Sequence, residues 1–300
     1  MDMTEDVCPS CGSRRVECRG EIPDGTIFGG QKLARAMPGG ALVACSTCSL
    51  AFRTPRPSKH ELDDLYRSAP SNQWSGSADE RSDFALIKTA IKASVPGGRV
   101  LDVGCFDGLF LQSLDERYER FGIEINPVAA AAAEKRGVKI IGTDFDAGHA
   151  HSGRYDAVVS IDSFEHTLRP LDFLRDLAGL VAPGGSIFLS TGNSEAWSWR
   201  WMGGAYWYCA NPEHHCFANR KWAMWAAEQL GLALIEARDL SHASPRYFTA
   251  FRQFLANVVY RHFPAVFRFA RRARKSDVAP ETPPSWDQSR DHMLFVFRKT

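Results

Sequence analysis

From residue 99 to residue 191 the sequence alternates two kinds of patterning. Short, almost continuously apolar runs (RVLDVGC from 99, RFGIEIN from 120, VKIIGTD from 138, YDAVVSID from 155, SIFLST from 186) read as strands buried on both faces. Between them, GLFLQSLDER, PVAAAAAEKRG and PLDFLRDLAGLVAPGG carry apolar residues at helical spacing, with Pro127 at the start of the second and glycine ending the third. Strand–helix alternation of this kind predicts an α/β fold, a parallel sheet with helices on both faces. GLALIEARDL, from 231, and HMLFVFRKT, from 292, read as an antiparallel pair closing that sheet.

Residues 241–290 interrupt this pair. Their apolar positions 248, 251, 255, 258, 259, 263, 266 and 267 fall at helical spacing, arginines occupy much of the other side, and Pro264 should kink or split the helix. A basic amphipathic helix over 247–275 can lie on a membrane surface, which would make the protein cytoplasmic with peripheral membrane contact. It can equally be a lid or a dimer helix with solvated arginines. SDVAPETPPSWDQSRD then reads as a flexible linker.

Upstream, Pro55 and Pro57 read as a stiff linker, and Ser58 with Glu61 as a capping box opening the helix SKHELDDLY. SAPSNQWSGSAD is a loop, and RSDFALIKTAIKAS an amphipathic helix. The expected organisation is a module at 1–57, a helical linker or lid at 58–94, a core at 95–240, the insertion at 241–290 and a final strand at 291–300.

Composition narrows the function. The chain of 300 residues carries a net charge of only +1, which argues against a nucleic-acid partner. The acidic start MDMTEDVCPSC has no apolar h-region, so a secretory signal is not expected. The longest uncharged run worth checking, from Leu177 to Ser194, is split by PGG and is not a membrane span. Without a signal, eight cysteines point to metal binding or burial ahead of disulfides.

Four of them form two C-x2-C pairs, Cys8/Cys11 and Cys45/Cys48, separated by 33 residues. Two such knuckles facing each other supply a tetrahedral S4 set that suits structural Zn2+, with EIPDGTIFGG and ALVAC able to form a hairpin across the gap. A redox dithiol is the other use of such a pair, but no strand–helix redox context surrounds these. Cys18, Cys105, Cys209 and Cys216 are expected to be ordinary buried thiols.

The turn in VLDVGCFDG, after the first core strand, is the candidate ligand site, since ligands of such sheets sit at the carboxyl ends of the strands. A dinucleotide fingerprint requires G-x-G-x-x-G. Counting from Gly104, Phe106 stands at the second glycine and Leu109 at the third. Phenylalanine obstructs the approach of a pyrophosphate, so NAD is disfavoured and an adenosine ligand without phosphates fits better. Glu124, 20 residues on, ends the second strand where a carboxylate can accept from both ribose hydroxyls, and Asp144 ends the third, facing an adenine amine. Acids at strand ends also serve as solvated caps; three in register favour a site.

These residues carry a resemblance. VLDVGCFDG, GIEIN, GTDFD, YDAVVSIDSFEHTLRP and LVAPGGSIFLST resemble the successive motifs of class I S-adenosylmethionine (SAM) dependent methyltransferases. The resemblance implies a Rossmann-like methyltransferase sheet with a small N-terminal zinc-ribbon module and a helical insertion before the last strand. It implies that Asp102, Gly104 and Gly108 line the methionine end of SAM, with Cys105 and Phe106 in the same turn. Glu124 and Ile125 would hold the ribose, Asp144 and Phe145 the adenine, and Asp162 would border the cofactor. Phe106, where many members have glycine, should narrow the pocket. With CPSCG, CSTCSLAFRTPRP, LDDLY, EHTLRP and PEHHCF, the chain further resembles bacterial methyltransferases that modify sugars and related small or lipid-linked molecules.

Methyl transfer needs nucleophile, methyl and sulfur in line, and a hydroxyl nucleophile benefits from a base. His166 and His214, with Glu213 beside the latter, stand in loops on the ligand face and are the candidate catalytic residues, while the resemblance adds Tyr66, and His215 is a further substrate contact. Histidines after strands also serve as structural hydrogen bonders, and Glu213, His214 and His215 could hold a second zinc. AWSWRWMGGAYWYCANP, from 196, can line an acceptor cleft or form a lid packed on the core. Two other readings stay open: an RNA base methyltransferase with a zinc module, and a non-catalytic protein that keeps the SAM fold.

Overall fold

The computed structural model describes residues 7–29, 31–68, 81–143, 152–241, 246–273 and 279–300. The strands of the repeating region, β6 (Gly98–Val103), β7 (Tyr118–Ile123), β8 (Lys139–Gly142), β9 (Tyr155–Ile161) and β10 (Val181–Gly192), join β12 (Leu232–Leu240) and β13 (His292–Lys299) in one seven-stranded sheet. Its order is β12-β13-β10-β9-β6-β7-β8, and only β13 runs against its neighbours. The central strands are continuous apolar runs because both faces are covered: Val100, Leu101, Ala157, Val158, Val159, Ile187, Phe188 and Leu189 are fully buried. The chain leaves β6 toward β7 on one side and later returns through β9 on the other. That reversal opens a crevice beyond the carboxyl ends of β6 and β9.

One face of the sheet packs on the helix α2 (Ser82–Ser94), through Phe84, Ile87 and Ile91. The opposite face packs on α5 (Pro170–Leu180), on α8 (Arg220–Leu230) and on the N-terminal module, whose Cys8, Val43, Leu50 and Phe52 share its core with Leu101, Val158 and Trp222. The module contains β1 (Val16–Glu21), the hairpin β2 (Gly25–Phe28) and β3 (Gln31–Met37), then β4 (Ala41–Cys45) and β5 (Ala51–Thr54). A strand from the core, β11 (Cys216–Phe217), pairs with β5 and completes the order β1-β4-β5-β11. The capping box forms: Ser58 N–H donates to Glu61 Oε2 at 2.8 Å and Glu61 N–H to Ser58 Oγ at 3.3 Å, opening α1 (Lys59–Ser68).

Several elements differ from expectation. The helix from Pro170 ends at Leu180, not at the glycines; Pro183 lacks an N–H and steers the residue before it away from helix, and Val181 already pairs with Tyr155. GLFLQSLDER yields a single turn, α3 (Leu109–Gln112). Cys18 is exposed, because β1 is an edge strand of its sheet. The aromatic stretch from 196 is core: it forms α6 (Trp197–Met202) and α7 (Trp207–Ala210), with Trp199 and Tyr206 stacked at 5.0 Å and completely buried. The expected linker is packed where it is described, since Trp286 and Asp291 are buried. Pro264 divides the insertion into α9 (Tyr247–His262) and α10 (Pro264–Ala273), as expected.

Candidate functional site

The turn after β6 is bound to the end of β7 by one carboxylate. Glu124 accepts at Oε2 from the Phe106 N–H and at Oε1 from the Asn126 N–H, both at 2.8 Å. Asn126 in turn caps α4 (Pro127–Lys135) by accepting from the N–H groups of Val128 and Ala129. Gly104 has φ 80° and Gly108 φ 76°; a side chain on Gly104 would collide with Ser163 Oγ. Phe106 has φ 48°, left-handed backbone that glycine adopts freely and that costs other residues about 1–2 kcal/mol. The turn therefore places an αL residue at position 106, and phenylalanine fills it under strain. Cys105 is buried beside it and Ile125 is partly exposed.

Asp102, Glu124 and Asp162 gather three carboxyl groups in this crevice. Burial, then Glu124 and Asp162, push Asp102 up to about 8, and its Oδ1 is buried without a partner among the described residues. Burial also raises Glu124, against the two N–H groups it accepts. Three carboxyl groups suit a ligand with a cationic end and ribose hydroxyls, as SAM has, better than a pyrophosphate. Asp162 is bound by Arg81 Nη2 at 2.8 Å, and the same guanidinium grips the fully buried Asp83 and lies over the Phe84 ring. Asp144 and Phe145, assigned to the adenine, lie outside the described residues.

Beyond β9 the 3-10 turn Phe164–His166 delivers the first histidine. Its Nδ1 is 2.6 Å from the Tyr66 hydroxyl, which α1 brings across and Phe28 braces edge-on at 5.0 Å. The His214 ring stands 4.9 Å from the His166 ring. His214 Nδ1 is 2.9 Å from the Tyr208 carbonyl, and since a carbonyl only accepts, that nitrogen carries the proton and Nε2 keeps its lone pair. Burial, then His166, hold His214 well below the usual histidine range. Burial lowers His166 too, opposed by the negative charges of Glu213 and Asp162. Glu213 is buried, accepts at Oε1 from the Gly29 N–H, and has no partner at Oε2 among the described residues.

Tyr66, His166, His214 and Glu213 thus lie close together. His215 is completely buried, its backbone N–H donating to the Glu165 carbonyl at 2.7 Å; burial and Arg53 push the imidazole down to about 2, so its ring is neutral. The carboxylate next to His166 is structural in its contacts: Glu165 is buried and accepts from Thr191 Oγ1 and the Tyr208 hydroxyl, and burial pushes it up to about 6. Among the described residues, the groups of donor atoms close enough for one metal are the four cysteines and Glu165–His166–His214, not Glu213–His214–His215.

Cys8, Cys11, Cys45 and Cys48 have their sulfurs within 4.8 Å of one another, 3.5 Å for Cys8–Cys48 and for Cys11–Cys45. Four thiols at this spacing, all but Cys11 buried, have the donor set of a structural zinc with no position left for substrate. Two arginines had no motif to announce them. Arg81 holds Asp162, and Arg53, which is 1% exposed, donates to the carbonyls of Cys209 (2.6 Å), Asn211 (2.8 Å) and His214 (3.2 Å).

Comparison with known proteins agrees with this geometry. A family model described as a methyltransferase domain matches residues 77–237. The ubiquinone biosynthesis O-methyltransferase of Xanthomonas campestris pv. campestris is 33% identical across an alignment of 147 residues that takes in 43% of this chain and 60% of that protein. The Pectobacterium atrosepticum protein of the same name is 36% identical over 111 residues, 34% of this chain and 46% of its own. The chain thus spans 46–60% of the length of these relatives. Among solved structures, phosphoethanolamine N-methyltransferase 2 of Haemonchus contortus superposes with a TM-score of 0.51 at 14% identity, covering 83% of this chain and 61% of that one, a likeness of fold alone.

Proposed function

This chain belongs to the methyltransferase-domain family, as a class I SAM-dependent member, and from that premise we propose that it methylates a hydroxyl of a sugar or a similar small or lipid-linked acceptor. The observation that carries the proposal is the meeting of two histidines, a tyrosine and a carboxylate beside the acid-lined crevice. When bound, SAM supplies an electrophilic methyl on a cationic sulfur. Asp102, Glu124 and Asp162 are suited to its positive end and its ribose, and Asp144 to its adenine.

His166 is the proposed general base. It is only half-buried, its Nδ1 lies within hydrogen-bond reach of the Tyr66 oxygen, and Glu213 and Asp162 favour its charged form once it takes the acceptor proton. His214, neutral and of fixed tautomer, has Nε2 3.4 Å from the Asn211 Nδ2, and an acceptor hydroxyl that takes the place of that amide would be held in line by the same lone pair. Tyr66 is suited to the acceptor side as well, whereas the fully enclosed ring of His215 is out of reach of a substrate. The name of the relatives supports transfer to oxygen and gives a second reading, an acceptor of ubiquinone biosynthesis.

A lipid-linked acceptor is supported by the insertion. Eight of the thirteen exposed large apolar side chains among the described residues lie between Tyr247 and Phe269. Residues 246–273 contain six arginines and no acid, so the rest of the chain carries −5. A surface of this kind supports peripheral contact with an anionic membrane through 247–275. No helix among the described residues is long and apolar enough to cross a membrane. The test is an acceptor screen with methyl-labelled SAM over nucleotide-sugars, lipid-linked glycans and polyprenylated phenols. Label on a sugar hydroxyl supports the first reading, label on the phenol replaces it by the second, and label on neither refutes both.

A further inference from the structure

Four guanidinium groups from four separate elements line one cavity of about 430 Å3: Arg19 on β1, Arg200 on α6, Arg261 on α9 and Arg268 on α10. Trp201 and Tyr260 form its aromatic walls, and the Arg261 guanidinium lies over the Trp201 ring, 4.9 Å from its centroid. One carboxylate, Glu281, reaches this cavity, and it pairs with Arg272 at 3.6 Å, while Arg19 pairs with Glu17 at 2.9 Å. The four arginines are exposed, Arg268 Nε also donates to the Pro264 carbonyl at 3.3 Å, and an arginine held on an aromatic face keeps donors available to planar or tetrahedral oxyanions. A second cavity, of about 310 Å3, shares Pro23 with the first and extends along residues 24–27 to Asn211 and Glu213.

We infer that the arginine cavity is a phosphate subsite of the acceptor. It takes a phosphate or diphosphate group by charge-assisted hydrogen bonds, while the hydroxyl to be methylated extends past Pro23 toward the histidine pair. The inference rests on the methyltransferase reading and narrows its substrate to a phosphorylated acceptor. α9 and α10, which carry two of the arginines, also carry the exposed apolar residues. The phosphate can therefore belong to a soluble ester or to a lipid headgroup.

The test titrates inorganic pyrophosphate, and vesicles of phosphatidylglycerol in phosphatidylcholine, into the full chain, into R261Q/R268Q, into R200Q, and into R175Q on the distant α5 as control. SAM is titrated into each preparation as well. Pyrophosphate should bind wild type and R175Q with Kd below about 1 mM, and at least about tenfold more weakly to R261Q/R268Q and R200Q, with SAM affinity unchanged throughout. Vesicles that displace pyrophosphate identify the headgroup as the source, and vesicles that leave it bound identify a soluble ester. Absent pyrophosphate binding, or equal affinity in all four proteins, overturns the subsite. Loss of SAM binding by wild type would instead strike the methyltransferase reading, so the two failures are distinguishable.

Discussion

Arg53, in the cysteine-bearing module, donates its Nε proton to the backbone oxygen of His214 at 3.2 Å, and its Nη2 to the carbonyls of Cys209 and Asn211. The N-terminal module therefore shapes the loop that presents a candidate catalytic histidine. Burial pulls Arg53 down to about 10, so it remains charged at neutral pH. Replacing it with methionine leaves three carbonyls without their donor. R53M should cost on the order of 3 kcal/mol in denaturant unfolding and lower turnover more than SAM affinity. Wild-type stability and turnover in R53M would show that the loop holds its shape without this contact.

Metal removal should act through the same connection. Chelation of a zinc held by Cys8, Cys11, Cys45 and Cys48 loosens the module, and with it β5, Arg53 and the β5–β11 pairing. Purified protein should contain about one zinc per chain. Stripping it should lower thermal stability and turnover together, with recovery on adding zinc back. A metal-free preparation of full stability and activity would remove the structural-zinc assignment.

The base assignment predicts a pH profile. Burial lowers the pKa of His166, so its neutral, proton-accepting form persists below the ordinary histidine range. The acid limb of kcat/KM should accordingly lie below pH ~6.5, and H166A should abolish that limb while slowing transfer by about 10^2 or more at nearly unchanged SAM affinity. An identical limb in H166A would assign it to another group.

A second pH effect concerns stability alone. His292 is buried against Asp291, 2.9 Å away, and that carboxylate raises its pKa from the ordinary value to about 9 despite burial. The folded state holds this proton more tightly than the unfolded chain. The stabilisation is therefore fully present below pH ~6.5 and is lost as pH rises through 9. The melting temperature should fall over that interval in wild type and change less in H292Q; parallel curves would place the alkaline instability elsewhere.

How much of this could be read from the residues depended on whether the signal was local. The glycine turn, the strand ends at Glu124 and Asp162, the capping box of Ser58 and Glu61, and the paired C-x2-C knuckles each lie within a few residues, so spacing revealed them. Tyr66 entered only through resemblance, as a lid or substrate contact, and its contact with His166, 100 positions away, was not foreseen, because no periodicity encodes a contact between distant segments. Arg53 and Arg81 were not found at all: each acts on groups brought near only by folding, and a buried arginine looks like a solvated one in sequence. Trp286 was misassigned for a related reason. Its proline-rich surroundings resemble a linker, yet the Trp197, Trp201 and Tyr206 rings supply a hydrophobic pocket that outweighs local composition.

The most direct test of the account is calorimetric titration of wild type and E124A with SAM, S-adenosylhomocysteine and NAD. Wild type should bind the first two with micromolar affinity and NAD at least about a hundredfold more weakly. E124A, which loses the acceptor of the Phe106 and Asn126 N–H groups as well as the ribose contact, should bind SAM at least about tenfold more weakly. Binding of NAD alone, or SAM affinity indifferent to Glu124, would contradict the reading of the acid-lined crevice on which the proposed function stands.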